Sequence, residues 1–106
     1  MNETEFSDLA DDLMLVIEEA LDDCGVDIDY ETSAGVMTLT IEADGSKVII
    51  SRQPAMSQIW VAAKSGGYHF NFDGASWQCS TTGETLPELL SRVCGEQAGE
   101  AVDLNF

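Results

Sequence analysis

Between Phe6 and Cys24 the apolar residues recur at steps of three and four: Phe6, Leu9, Ala10, Leu13, Val16, Ile17, Ala20, Leu21 and Cys24. That spacing puts them on one face of an amphipathic helix ending near Gly25, with Asn2 and Glu5 suited to capping its start. The period then drops to two. Across Asp27–Glu31, Ile28 and Tyr30 point inward and the three acids outward; from Val36 to Glu42, Met37, Leu39 and Ile41 point inward. Ser33-Ala34-Gly35 and Asp44-Gly45 supply turns, so Lys47–Arg52 returns as a third strand, and Pro54 interrupts the pattern. Gln58–Ala63 reads as a fourth strand with Ile59 and Val61 inward and Gln58, Trp60 and Ala62 outward. Gly66-Gly67 reads as a turn into Tyr68–Phe72, and Asp73-Gly74 leads to a short strand around Trp77–Cys79. Thr85-Leu86-Pro87-Glu88 is a capping box with proline in the first turn. It opens a second helix with the stripe Leu86, Leu89, Leu90, Val93 and Cys94, weakened by Gly95 and ended by Gly99. Val102, Leu104 and Phe106 form an apolar tail expected to pack back between the helices.

The order is helix, five to six antiparallel strands, helix. Two amphipathic helices can cover only one face of such a sheet. The expectation is an α+β fold, a two-layer α/β sandwich with the N- and C-terminal helices on one face and the other face open. Residues 1–106 are expected to form one domain.

Charge changes the picture most. The chain carries 20 acidic and 4 basic residues, a formal net charge of −16, and 14 of the acids precede Lys47, the first basic residue. Asp8/Asp12, Glu18/Asp22 and Glu19/Asp23 are like-charge pairs four apart on the helix, each costing about 0.2–0.5 kcal/mol. Asp22 and Asp23 also sit where the helix dipole disfavours anions. A helix selected only for stability would carry lysines here. The acidity argues against nucleic-acid binding and for a cationic partner. No apolar run is long enough for a membrane span, and the acidic start is unlike a targeting segment, so a cytoplasmic bacterial protein is expected. Cys24, Cys79 and Cys94 are odd in number and lack metal-ligand spacing, and are read as reduced core residues.

Catalytic constellations are absent: His69 is the lone histidine, expected on the open sheet face, and no phosphate loop or nucleophile–base pair stands out. The clustered carboxylates offer only oxygen donors, which suit hard cations, and on a solvated helix they form a shallow, exchangeable site. Gln53, Gln58 and Trp60 share the outward parity of the sheet. A tryptophan there exposes large apolar area, the usual mark of a binding hot spot.

The run Gln53-Pro54-Ala55-Met56-Ser57-Gln58-Ile59-Trp60 resembles the central signature of the frataxins. Gly66-Gly67-Tyr68-His69-Phe70 and the acidic start around Ala10–Asp23 extend the likeness from Glu5 to Glu100, closest to the bacterial members. The resemblance implies an α-β sandwich that binds iron weakly on an acidic ridge and acts in iron–sulfur cluster assembly. Its partners would be the cysteine desulfurase and the scaffold protein. Carried over by position, the metal residues are Asp11, Asp12, Glu18, Glu19, Asp22 and Asp23, with Asp27, Asp29 and Glu31 on the next strand; the sheet contacts are Gln53, Gln58 and Trp60. Two positions depart from the pattern: Ser51 stands where many frataxins have asparagine, and Ser7 where the best-known bacterial form has histidine. The function expected is a non-enzymatic iron-binding adaptor, monomeric or oligomerising with iron. The alternative is a ferroxidase or iron-storage protein.

Overall fold

A computed structural model describes all of residues 1–106. Helix α1 spans Glu3–Asp23, followed by β1 (Ile28–Ser33), β2 (Val36–Ile41), β3 (Ser46–Gln53), a 3-10 turn at Pro54–Met56, β4 (Gln58–Ala63), β5 (Gly66–Phe72), β6 (Trp77–Cys79) and α2 (Leu86–Ala98). The six strands form one antiparallel sheet in sequence order, β1-β2-β3-β4-β5-β6. The register builds rows across it. Thr32, Met37, Ile50, Val61 and Tyr68 lie side by side, as do Arg52, Ile59, Phe70 and Cys79. These residues face the helices, and all 25 buried residues of the chain belong to one apolar cluster that includes both helices and the tail.

Local chemistry sets the boundaries. The Asn2 side chain accepts from the Glu5 N–H at 2.8 Å, capping α1. Thr85 and Glu88 form the reciprocal capping box of α2, and Gly99 ends it in the left-handed region at φ +72°. Ala34 and Gly35 both have positive φ in the two-residue hairpin loop between β1 and β2. Gly35 is doubly required, because a Cβ there would lie 3.1 Å from Cγ of Arg52.

Three sequence expectations are corrected. Val16 is 39% exposed, and Met14 takes its place among the buried residues of α1. Gly66 and Gly67 lie inside β5, paired with Ala63 and Ala62, so the turn is Lys64-Ser65. Gly95 is less a weak point than a crossing: a Cβ there would meet the Glu100 carbonyl oxygen at 3.2 Å, so the tail passes directly over the helix backbone. Beyond the crossing Val102 and Leu104 are buried, and the Leu104 N–H donates to Ser91 Oγ at 2.9 Å. The three cysteines are free, with Cys79 and Cys94 buried. Burial pushes the Cys94 thiol up to about 12. Burial also raises the Cys79 thiol, but hydrogen bonds from Thr81 and Thr82 outweigh it and bring the group to about 7.

Candidate metal and partner surfaces

The acids of α1 divide between the two flanks of the helix. On one flank Asp11, Glu18 and Asp22 meet the sheet. Arg52 Nη1 donates to Asp11 at 2.8 Å, the Thr32 hydroxyl to Glu18 at 3.3 Å, and the Tyr30 hydroxyl to both Asp22 oxygens at 3.1 Å. These contacts arise because Tyr30, Thr32 and Arg52 sit on the helix-facing parity of β1 and β3. Tyr30 is thus only half-buried, its ring on the core and its hydroxyl on the ridge. The Asp22 carboxylate, which accepts from the hydroxyl and repels phenolate, raises the Tyr30 pKa.

On the other flank Asp12, Glu19 and Asp23 make no side-chain hydrogen bond or ion pair, and Asp103 of the tail joins Glu19 and Asp23 around a cavity of about 320 Å³. Asp103 was invisible to sequence reasoning because only the returning tail brings it to α1. Asp29 and Glu31 lie elsewhere again: their parity on β1 points them to the open face, beside Thr40 and Thr38. Asp27 precedes β1, and Glu42 joins its end of the strand through an N–H bond to the Asp27 carbonyl. Glu42 is raised, chiefly by hydrogen bonding with Asp29 and then by its charge. The nine carried-over acids therefore form three groups, one on the α1 flank against the sheet, one on the flank toward the tail, and one at β1. No three acidic, histidine or cysteine side chains converge into a preformed cage. The donor set of exposed carboxylate oxygens fits a hard cation held loosely.

The open sheet face carries the second surface. The register aligns Ser51, Trp60 and His69 in one row and Gln53, Gln58, Asn71 and Gln78 in the next. The Trp60 indole stacks on His69 with centroids 4.4 Å apart and planes 12° from parallel. Its Nε1 donates to Gln58 at 2.8 Å, while Gln58 Nε2 donates to Asn71 at 3.2 Å. Trp60 is thus fixed in orientation although it lies outside the core. Asn71 and Gln78 were missed by sequence reasoning; the outward parity of β5 and β6 was the signal that could have found them. Ser51 accepts from Gln53 at 3.5 Å, so its short hydroxyl orients a neighbour in the platform.

Comparison with known proteins agrees with this architecture. Residues 1–100 match the frataxin-like domain family. The chain is 52% identical over 103 residues to the iron-sulfur cluster assembly protein CyaY of Vibrio parahaemolyticus, covering 97% of this chain and 98% of that one. The frataxin structure from Psychromonas ingrahamii superposes with a TM-score of 0.91 at 34% identity, covering 100% of both chains. Trimeric frataxin from Saccharomyces cerevisiae, complexed with ferrous iron, gives a TM-score of 0.67 at 33% identity over 91% of this chain and 87% of that one. With sequence, strand order and helix placement in agreement, the chain belongs to the frataxin family.

Proposed function

We propose that this chain is a non-enzymatic, iron-binding adaptor of iron–sulfur cluster assembly. It takes ferrous or ferric iron weakly on the carboxylates of α1 and β1, and it engages the cysteine desulfurase and the scaffold protein. The observation that carries the reading is the Trp60–His69 stack held by Gln58 on the open sheet face, where Ile49 is also exposed. An aromatic platform so fixed outside the core costs exposed apolar area, and a partner that covers it recovers that area. The name of the Vibrio relative and the iron-bound yeast structure support the same reading. The acidic face of α1 supplies long-range attraction to a basic surface and an exchangeable place for iron.

The test is binding to purified desulfurase and scaffold at low and moderate salt, with two variants. Trp60→Ala keeps the fold and the metal binding but weakens complex formation by about 2 kcal/mol or more. Lysine at Glu18, Glu19, Asp22 and Asp23 together slows association, flattens its salt dependence and removes metal binding from the helix. Wild-type complex formation by both variants would overturn the adaptor reading. Oxygen consumption with growing particles on aerobic iron addition would transfer it to the ferroxidase or storage alternative.

A further inference from the structure

The flank of α1 that turns from the sheet edge toward the tail opens onto a groove with two unlike halves. One half is the cavity of about 320 Å³ bordered by Glu19, Asp23 and Asp103. The other, of about 330 Å³, is mostly apolar, walled by Phe72, Trp77 and Pro87. Val16 and Phe106 line both, so the two halves meet there. No Lys or Arg lines either half. Val16 is 39% exposed beside the acids of α1; Leu15 is more exposed still, at 58%, but of the two only Val16 lines the groove.

We propose that this groove docks a partner segment carrying a large apolar side chain next to one or two lysines or arginines. The apolar side chain enters between Trp77, Pro87 and Phe106, and the cations reach Glu19, Asp23 and Asp103. Charge complementarity selects this occupant: the basic groups meet carboxylates that have no intramolecular partner. A second copy of the chain is disfavoured because each copy carries a net charge of −16. The proposal deepens the adaptor reading by naming the kind of segment α1 receives, and it depends neither on iron nor on the open sheet face.

The experiment is an NMR titration of the metal-free full chain with a blocked octapeptide containing one phenylalanine and two arginines among glycines and serines. Saturable shifts are expected at Val16, Glu19, Phe106 and the Trp77 indole. The same peptide with serine in place of phenylalanine should bind about tenfold more weakly or worse. Val16→Asp separates groove from charge by sign: it adds an anion, so bare charge attraction would tighten binding, whereas loss of the apolar floor weakens it. The peptide exchange is made on the parent chain, so the test stands even if the variant folds poorly. Equal binding of the serine peptide, or tighter binding by Val16→Asp, overturns the proposal. So do shifts centred on Trp60, or self-association of the chain that blocks the peptide. Desulfurase and scaffold binding are measured separately, so failure of the peptide with an intact assembly complex would sink the groove and leave the adaptor reading standing.

Discussion

The two helices cover the same sheet face with similar apolar stripes, yet their outer faces are built differently. In α2 the charges are paired. Arg92 grips Glu84 through two bonds of 2.9 and 3.0 Å, reaches Glu96 at 3.4 Å, and lies 5.7 Å from the Tyr68 ring centroid. In α1 there is no Lys or Arg at all, and the only cation that touches its acids is Arg52. Seven buried side chains hold α1 down; five of them, Phe6, Leu13, Met14, Ile17 and Leu21, are large, and fully burying such a side chain is worth about 1.5–3 kcal/mol. The like-charge pairs cost only about 0.2–0.5 kcal/mol each. Burial therefore decides that α1 folds, which leaves its outer face free to carry charge for purposes other than stability.

The sharpest way to break this comparison is to attack the buried stripes. Ile17 and Leu90 are both fully buried, so Ile17→Ala and Leu90→Ala should each lose about 2–5 kcal/mol in urea unfolding. A much smaller loss at Ile17 would mean that α1 is not held by burial. On the outer faces the signs should part. Arg92→Met should lower stability by about 1 kcal/mol, the side chain being 37% exposed and so screened by water. Asp23→Lys should raise it by about 0.3–1 kcal/mol, because a cation replaces an anion at the C-terminal end of α1. Thermal unfolding at low salt reads both; a destabilising Asp23→Lys would show that its charge is structurally satisfied.

The smallest effect lies in pH. Glu84 is held low, first by hydrogen bonds from Arg92, so its contribution is full above the unfolded value near 4.5 and disappears as pH falls through the depressed folded pKa. Glu42 is raised by Asp29, the opposite case. Its penalty is full above the raised pKa and is relieved as pH falls toward 4.5. Glu42→Gln should therefore flatten the gain in melting temperature between neutrality and pH 4.5, while Arg92→Met should flatten the loss below it. If either substitution altered the wrong side of pH 4.5, the assignment of strain to the β1 edge and pairing to α2 would fail.

The sheet was almost fully legible in the sequence because a period of two leaves no choice of face. Once Ile59 and Val61 are inside, Gln58 and Trp60 are outside. Both helix starts were legible for a similar reason, since a cap acts within three residues. What was not legible depends on neighbours distant in sequence. The exchange of Met14 for Val16 at the buried edge of α1 reflects where the sheet and tail lie, which a helical wheel does not contain. The Arg52–Asp11 pair spans 41 residues, and Asp103 reaches Glu19 only through the crossing at Gly95. Gly66-Gly67 misled because glycine pairs are common in turns, whereas here Gly66 with φ +145° lies in an extended strand.

The way the few cations are placed has a consequence for recognition. Arg52, Lys64 and Arg92 are all in ion pairs, and Lys47 donates to Thr40 beside Asp29. No side of the molecule is therefore left to push a cationic visitor away. Attraction at a distance accelerates its arrival without choosing the angle of approach, and it fades beyond about 8 Å at physiological salt. The pose is chosen only after arrival, by contacts that reach a few ångströms: the stacked ring of Trp60 on one side of the sheet, and the gap between Val16 and Phe106 on the other.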